Sequence, residues 1–170
     1  LASICQSNSW GDIIIKPCVS AAAWHTYHIK ASRVLDFEKP FYNLSLTQDM
    51  MVQEFQSNIT TSGEVSLMMI GGDYTHAVLK RAKEGDFRVQ DDYGGSVAAH
   101  FPKSDEIKFA HRVLEALPFK PNYARVDIMI DNNGNLALSE LELIEPEMWF
   151  RLHPTSARNL GLAIRSFITS

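Results

Sequence analysis

The stretch ARVDIMIDNNGNLALSELELIEP, residues 124–146, contains two runs of alternating character around NNGN. Asn133-Gly134 predicts a two-residue type I′ hairpin, because that turn needs φ > 0 at both central positions and Asn and Gly tolerate it. In the register that follows, Asp127 faces Glu140 and Arg125 faces Glu142, and period-two alternation sends all four side chains to one side. Val126, Ile128 and Ile130 share the other side with Ala137, Leu141 and Leu143, and that side belongs on a core. Directly opposed carboxylates repel, so a cation is expected between Asp127 and Glu140. One reading supplies Mg²⁺, a hard ion that takes carboxylate and phosphate oxygens, with Arg125 helping to hold a further anionic group. The other is a hydrated hairpin face whose Arg and Glu residues pair with each other.

The chain has 170 residues, 45% of them hydrophobic, enough to bury a real core in one domain or two small lobes. Its net charge of −4 gives no nucleic-acid footprint. No apolar run reaches the roughly 18–20 residues of a membrane span, so neither nucleic acid nor membrane is an expected partner. Cys5 and Cys18 form no CxxC pair and no metal-ligand spacing, which makes a reducing cytoplasm the default. The six histidines show no zinc pattern and are read as structural or solvent-facing, and the three tryptophans as packing residues. The sequons at Asn43 and Asn58 are discounted for want of a signal peptide.

Along the chain, Ile13 to Lys16 predicts a buried strand stopped by Pro17, with a returning strand near Tyr27 to Ile29. Met50 to Phe55 predicts another, and Glu64 to Ile70 with Tyr74 to Lys80 a hairpin around Gly71-Gly72-Asp73. Residues 31–49 are mixed, and KEGDFRVQDDYGG (83–95) reads as a functional loop. Ser104 is placed as the cap of a helix to Leu117, with Pro118 ending it. Thr155 or Ser156 begins a last helix, whose Leu160, Ile164, Phe167 and Ile168 form an apolar stripe. The class is α+β, antiparallel hairpins with helices on one side.

GDIIIKP, MVQEFQ, SGEVSL, HAVLK, GDFRVQ…GG and ARVDIMID…SELELIEP, in that order, resemble the ATP-grasp superfamily, especially its glutathione-synthetase-like branch, from about Gly11 to Ile164. The resemblance implies a small lobe over residues 1–55, a large lobe over 56–170, and a nucleotide clasped by the two with Mg²⁺ on its phosphates. Lys16 resembles the lysine that reaches adenine and the α-phosphate. VSAAAWHT resembles the phosphate-covering loop, with Ser20 and Thr26 as donors, although Ala21 to Ala23 stand where relatives carry glycines. Gln53, Glu54, Phe55 and Gln56 match the adenine-reading segment, and Glu64 the ribose-hydroxyl acceptor. Lys80 and Arg88 resemble the cations on the β- and γ-phosphates, with Gly94-Gly95 beyond them. Asp127, Glu140 and Glu142 match the Mg²⁺ ligands and Arg125 the transition-state arginine; Glu142 replaces a frequent asparagine, and Glu145 falls outside the ligand set.

The activity so implied is an ATP- and Mg²⁺-dependent ligase that turns a carboxylate into an acyl phosphate for attack by an amine or similar nucleophile, releasing ADP and phosphate. The partners implied are small-molecule carboxylates and amines. Relatives usually carry a further N-terminal domain, expected here to be missing, and a homodimer is open. The alternatives are an ATP-binding module or truncated relative without ligase turnover, and a kinase-like activity that stops at the phosphorylated acid.

Overall fold

The structure is a computed structural model that describes residues 1–19, 24–83, 85, 86, 89 and 94–169. It divides into two compact units, Leu1–Gln56 and Ser57–Ser170.

Unit 1 opens with helix α1 (Ala2–Asn8) and continues as strands β1 (Ile13–Pro17) and β2 (Tyr27–Ile29), a 3₁₀ segment (Ala31–Phe37), helix α2 (Glu38–Ser45) and strand β3 (Met50–Glu54). The three strands form an antiparallel sheet in the order β2-β1-β3. The isoleucine run of β1 is buried on both faces, as the middle strand requires. Ile13 and Ile15 join Leu1, Cys5, Ile29 and Val34 in a core that Trp10, Phe37 and Phe41 enclose. Helices and irregular turns therefore occupy residues 31–49, where no periodicity stood out.

Unit 2 contains the short helix α3 (Ile59–Ser62), strands β4 (Glu64–Ile70), β5 (Asp73–Arg81) and β6 (Ser96–His100), helix α4 (Ser104–Glu115), strands β7 (Tyr123–Ile130) and β8 (Leu136–Glu142), and helix α5 (Thr155–Thr169). Its antiparallel sheet runs β6-β5-β4-β7-β8. One face is apolar throughout: Leu67, Met69, Ala77, Ala124, Val126 and Ile128 pack with Ala110, Ile107 and Leu114 of α4. The other face changes character along its length. Met68, Ile70 and Val78 lie under Met148, Trp149 and Leu160, whereas Glu64, Ser66, Lys80, Arg125 and Asp127 are also buried yet polar or charged.

Two turns exchange their expected geometries. The glycine pair between β4 and β5 takes φ of 66° at Gly71 and 94° at Gly72, and Ile70 pairs with Asp73, the signature of a two-residue type I′ turn. The expected type I′ turn at Asn133-Gly134 is instead a three-residue loop. The Asp131 N–H donates to Asn135 O at 2.8 Å, and within the loop only Gly134 has positive φ, 84°. The Asp131 carboxylate accepts from the N–H groups of Asn133 (2.9 Å) and Asn135 (2.8 Å), favouring the longer loop. That loop shifts the strands by one residue, and an irregularity between Asp127 and Ile128 shifts them back. Ile128 pairs with Leu138, but Asp127 pairs with Glu140 and Arg125 with Glu142; Ser139 is the extra residue of a β-bulge.

Three other expectations change. Strand β6 lies just beyond the predicted loop. Lys103, not Ser104, is the N-cap of α4, because Glu106 reaches back to accept the Lys103 backbone N–H at 2.6 Å. The apolar stripe of α5 is unevenly buried: Leu160 packs on the core, while Phe167 is 67% and Ile168 76% exposed.

Candidate active site

The buried charges on the sheet of unit 2 come from three neighbouring strands. Glu64 on β4 lies opposite Lys80 on β5, and Ser66 lies opposite Asp127 on β7. Same-side alternation then brings Glu64, Ser66, Lys80, Arg125 and Asp127 together. Asp127 is fully buried. Its carboxylate accepts from Lys80 Nζ at 2.9 Å, and from Arg125 through Nε to Oδ1 and Nη2 to Oδ2, both at 2.9 Å. Lys80 also pairs with Glu64, and Arg125 with Glu142. Glu140 is 3.9 Å from Arg125. Carboxylate oxygens of Asp127, Glu140 and Glu142 lie within 4.8 Å of one another.

This network decides protonation. Burial by itself would raise the Asp127 pKa, but Lys80 and Arg125 outweigh it and hold the carboxylate below its usual range. Burial works against the charge of Lys80 as well, yet Glu64 and Asp127 raise its pKa. Arg125 is likewise pushed up by its acidic neighbours against the effect of burial. Glu64 goes the other way: burial dominates and raises its pKa, with Lys80 opposing. The opposed acids thus have protein cations beside them, Lys80 and Arg125. Arg and Glu do pair, but on a buried strand beside a second cation, not on a hydrated ribbon.

The donor set nonetheless fits a hard divalent ion. It offers three carboxylates converging within one ion's reach, all oxygen donors, with Glu140 and Glu142 more exposed than Asp127.

The other expected residues are distributed as follows. Glu64 is not at the surface: it is 4% exposed and paired with Lys80. In unit 1, Lys16 is half-buried on β1, opposite Met51 of β3. Gln53 and Glu54 lie on β3, an edge strand of its sheet, and main-chain recognition of a base needs such an edge. The Phe55 N–H donates to Asp12 O at 2.9 Å, its ring stacks on His28 at 3.9 Å, and Gln56 Nε2 donates to Glu54 at 3.3 Å. Thr26 is half-buried just before β2. Ser20 and Arg88 lie outside the described residues.

His76, read as structural or solvent-facing, is structural, and Trp149, read as packing, does pack in the core, but the sequence did not show what either holds in place. The buried His76 donates from Nε2 to Met148 O at 2.8 Å, and its Nδ1 accepts from Ser156 Oγ at 2.9 Å. This fixes the connection between β8 and α5, and with it Trp149, whose ring centroid is 5.7 Å from Lys80 Nζ and 5.2 Å from Arg125 Cζ. An isolated histidine in a strand gives no signal of that role; the aromatic just after the acidic hairpin was the available one.

The family model described as prokaryotic glutathione synthetase, ATP-grasp domain, matches residues 4–139. The chain belongs to this family. Among solved structures, this ATP-grasp domain is similar to D-cycloserine synthetase DcsG, with 19% identity over 95% of this chain and 58% of that one, at a TM-score of 0.82. It also resembles the ATP-grasp ligase PsnB, complexed with a phosphomimetic variant of its minimal precursor, Mg and ADP: 18% identity, 95% and 50% coverage, TM-score 0.66. A third similar structure is the VanG D-Ala:D-Ser ligase from Enterococcus faecalis, at 17% identity, 84% and 43% coverage, and a TM-score of 0.58. The chain spans at most 58% of these three proteins. No curated protein matches it. The ATP-grasp fold, α+β with two antiparallel sheets, is that of this chain, and no helix among the described residues is long and apolar enough to cross a membrane.

Proposed function

We propose that the chain is the nucleotide-binding and phosphoryl-transfer part of an ATP- and Mg²⁺-dependent ligase that joins a small-molecule carboxylate to an amine or similar nucleophile. The observation that supports it most is the union, in an ATP-grasp family member, of three convergent carboxylates with two buried cations on one sheet face.

The residues divide the work as follows. Asp127, Glu140 and Glu142 hold Mg²⁺. That ion, when bound, neutralises phosphate charge and helps orient the terminal phosphoryl group. Lys80, Arg125 and Arg88 attract the oxygens over which negative charge spreads during transfer, where position and field matter more than covalent chemistry. Glu64 anchors Lys80 and keeps it charged; a direct hold on the ribose hydroxyls would have to compete with that pair. Lys16, Ser20 and Thr26 contact phosphates, and Gln53 to Gln56 read adenine through the main chain. A carboxylate oxygen of the substrate attacks the terminal phosphorus and ADP leaves. The nucleophile then attacks the acyl carbon, and inorganic phosphate departs.

Calorimetry of ADP and of a non-hydrolysable ATP analogue, with and without Mg²⁺, tests the binding half. Binding of both, strengthened at least tenfold by the ion, is expected; no binding of either would overturn the proposal. ADP release across a panel of carboxylates and amines tests turnover. Tight binding without acid-dependent release would leave an ATP-binding module.

A further inference from the structure

Trp149 is 5% exposed, and its indole nitrogen is buried without a hydrogen-bond partner. Buried tryptophans normally find an acceptor for this N–H, and leaving it unpaired is unfavourable. Three backbone features set where the ring sits. Its own backbone N–H donates to Glu147 Oε1 at 2.7 Å, the preceding carbonyl accepts from His76, and the residue adopts left-handed backbone, φ 44°. Lys80 Nζ and Arg125 Cζ both lie over the ring. An unsatisfied donor on a ring that two buried cations overlie is suited to an anionic acceptor that arrives with a ligand.

We propose that Trp149 is a substrate-positioning residue whose indole N–H is kept for an oxygen of the terminal phosphoryl group of ATP. The inference rests on the function proposed above. It adds a specificity: ADP lacks that oxygen, so Trp149 favours ATP over ADP, and after transfer the contact stays with the phosphoryl group while ADP is left without it. The nitrogen is shielded by protein, and the oxygen reaches it as residues 145–149 give way. That segment starts from strain, since Glu145 (φ 45°) and Trp149 are both left-handed without being glycine.

The test uses the full chain with Mg²⁺ plus either ADP or a non-hydrolysable ATP analogue. In ¹⁵N-labelled wild type, with each indole signal assigned by single Trp10→Phe, Trp24→Phe and Trp149→Phe variants, the Trp149 N–H resonance should move downfield with the analogue but not with ADP. In Trp149→Phe, affinity for the analogue should fall about tenfold, the order expected for a hydrogen bond to a charged acceptor, while ADP affinity stays unchanged. If that variant does not fold, elimination with the other two still assigns the wild-type signal. An analogue that binds without moving the Trp149 signal would overturn this inference and leave the proposed function standing. Failure of both nucleotides to bind wild type would overturn both.

Discussion

Lys80 joins two acids that burial would otherwise penalise, so its removal exposes the cost of each. Lys80→Met should destabilise the protein by about 3–5 kcal/mol at neutral pH, the range for breaking a buried ion pair from one side. Glu64 already has its pKa raised by burial, and without Lys80 it rises further. A raised folded-state pKa means that stability is present at low pH and lost as pH climbs through it. The deficit of Lys80→Met should therefore shrink as the solution is acidified towards pH 5, which urea denaturation at several pH values would reveal. A deficit independent of pH would mean that Glu64 is not the group left uncompensated. Glu142 makes the opposite kind of prediction. It places a full negative charge where relatives often have asparagine, so Glu142→Asn should raise the Mg²⁺ concentration needed for half-maximal nucleotide binding about tenfold, with little change in stability because this side chain is one-third exposed. Calorimetric titration across Mg²⁺ concentrations checks it.

Among the elements, glycine matters most where α3 meets β4. A Cβ at Gly63 would fall 2.4 Å from the backbone oxygen of Lys80, in a residue whose φ is already 76°. A Cβ at Gly134 would meet nothing within 4 Å, and only its φ of 84° resists substitution. Gly63→Ala should thus cost about 2–4 kcal/mol, combining clash and left-handed strain, and Gly134→Ala about 1–2 kcal/mol. Comparing their urea midpoints would test the order, and only Gly63→Ala should disturb the strand that presents Lys80. The same contrast explains what could be read in advance. Hairpins announced by glycine and by alternation, β4 with β5 and β7 with β8, are visible in local sequence. The bulge at Ser139 is not, because one extra residue leaves the alternation on each side of it intact. The expected pairing of Asp127 with Glu140 therefore emerged from two compensating departures, a longer turn and a bulge. Strand β6 was invisible because SVAAH is short and offers one large apolar residue, Val97; its partner β5 makes it a strand. The convergence of Glu64 and Lys80 with the hairpin acids depends on strand order, which no single segment encodes.

For the molecule as a whole, each unit has its own core, and among the described residues the partners of His76 belong to unit 2: Met148, Ser156, Thr75 and the stacked His153. Burial lowers the His76 pKa from 6.5, the nearby His153 adds to the effect, and the hydrogen bond to Met148 only partly offsets it. A depressed folded-state pKa means that the unfolded chain takes up the proton more readily. His76 therefore contributes stability that is complete above about pH 6.5 and is lost as the pH falls through its folded-state value. Between pH 8 and 5 the wild-type protein should lose stability in a way that His76→Gln does not. Residues 57–170 expressed alone should unfold cooperatively and show the same acid loss, since the described residues that build its two core clusters all belong to unit 2. Thermal melts of the full chain, the variant and the isolated unit across this pH range decide the point. An isolated unit that melts without cooperativity would mean that the two cores are not independent, and a variant that keeps the wild-type pH slope would assign the proton to another group.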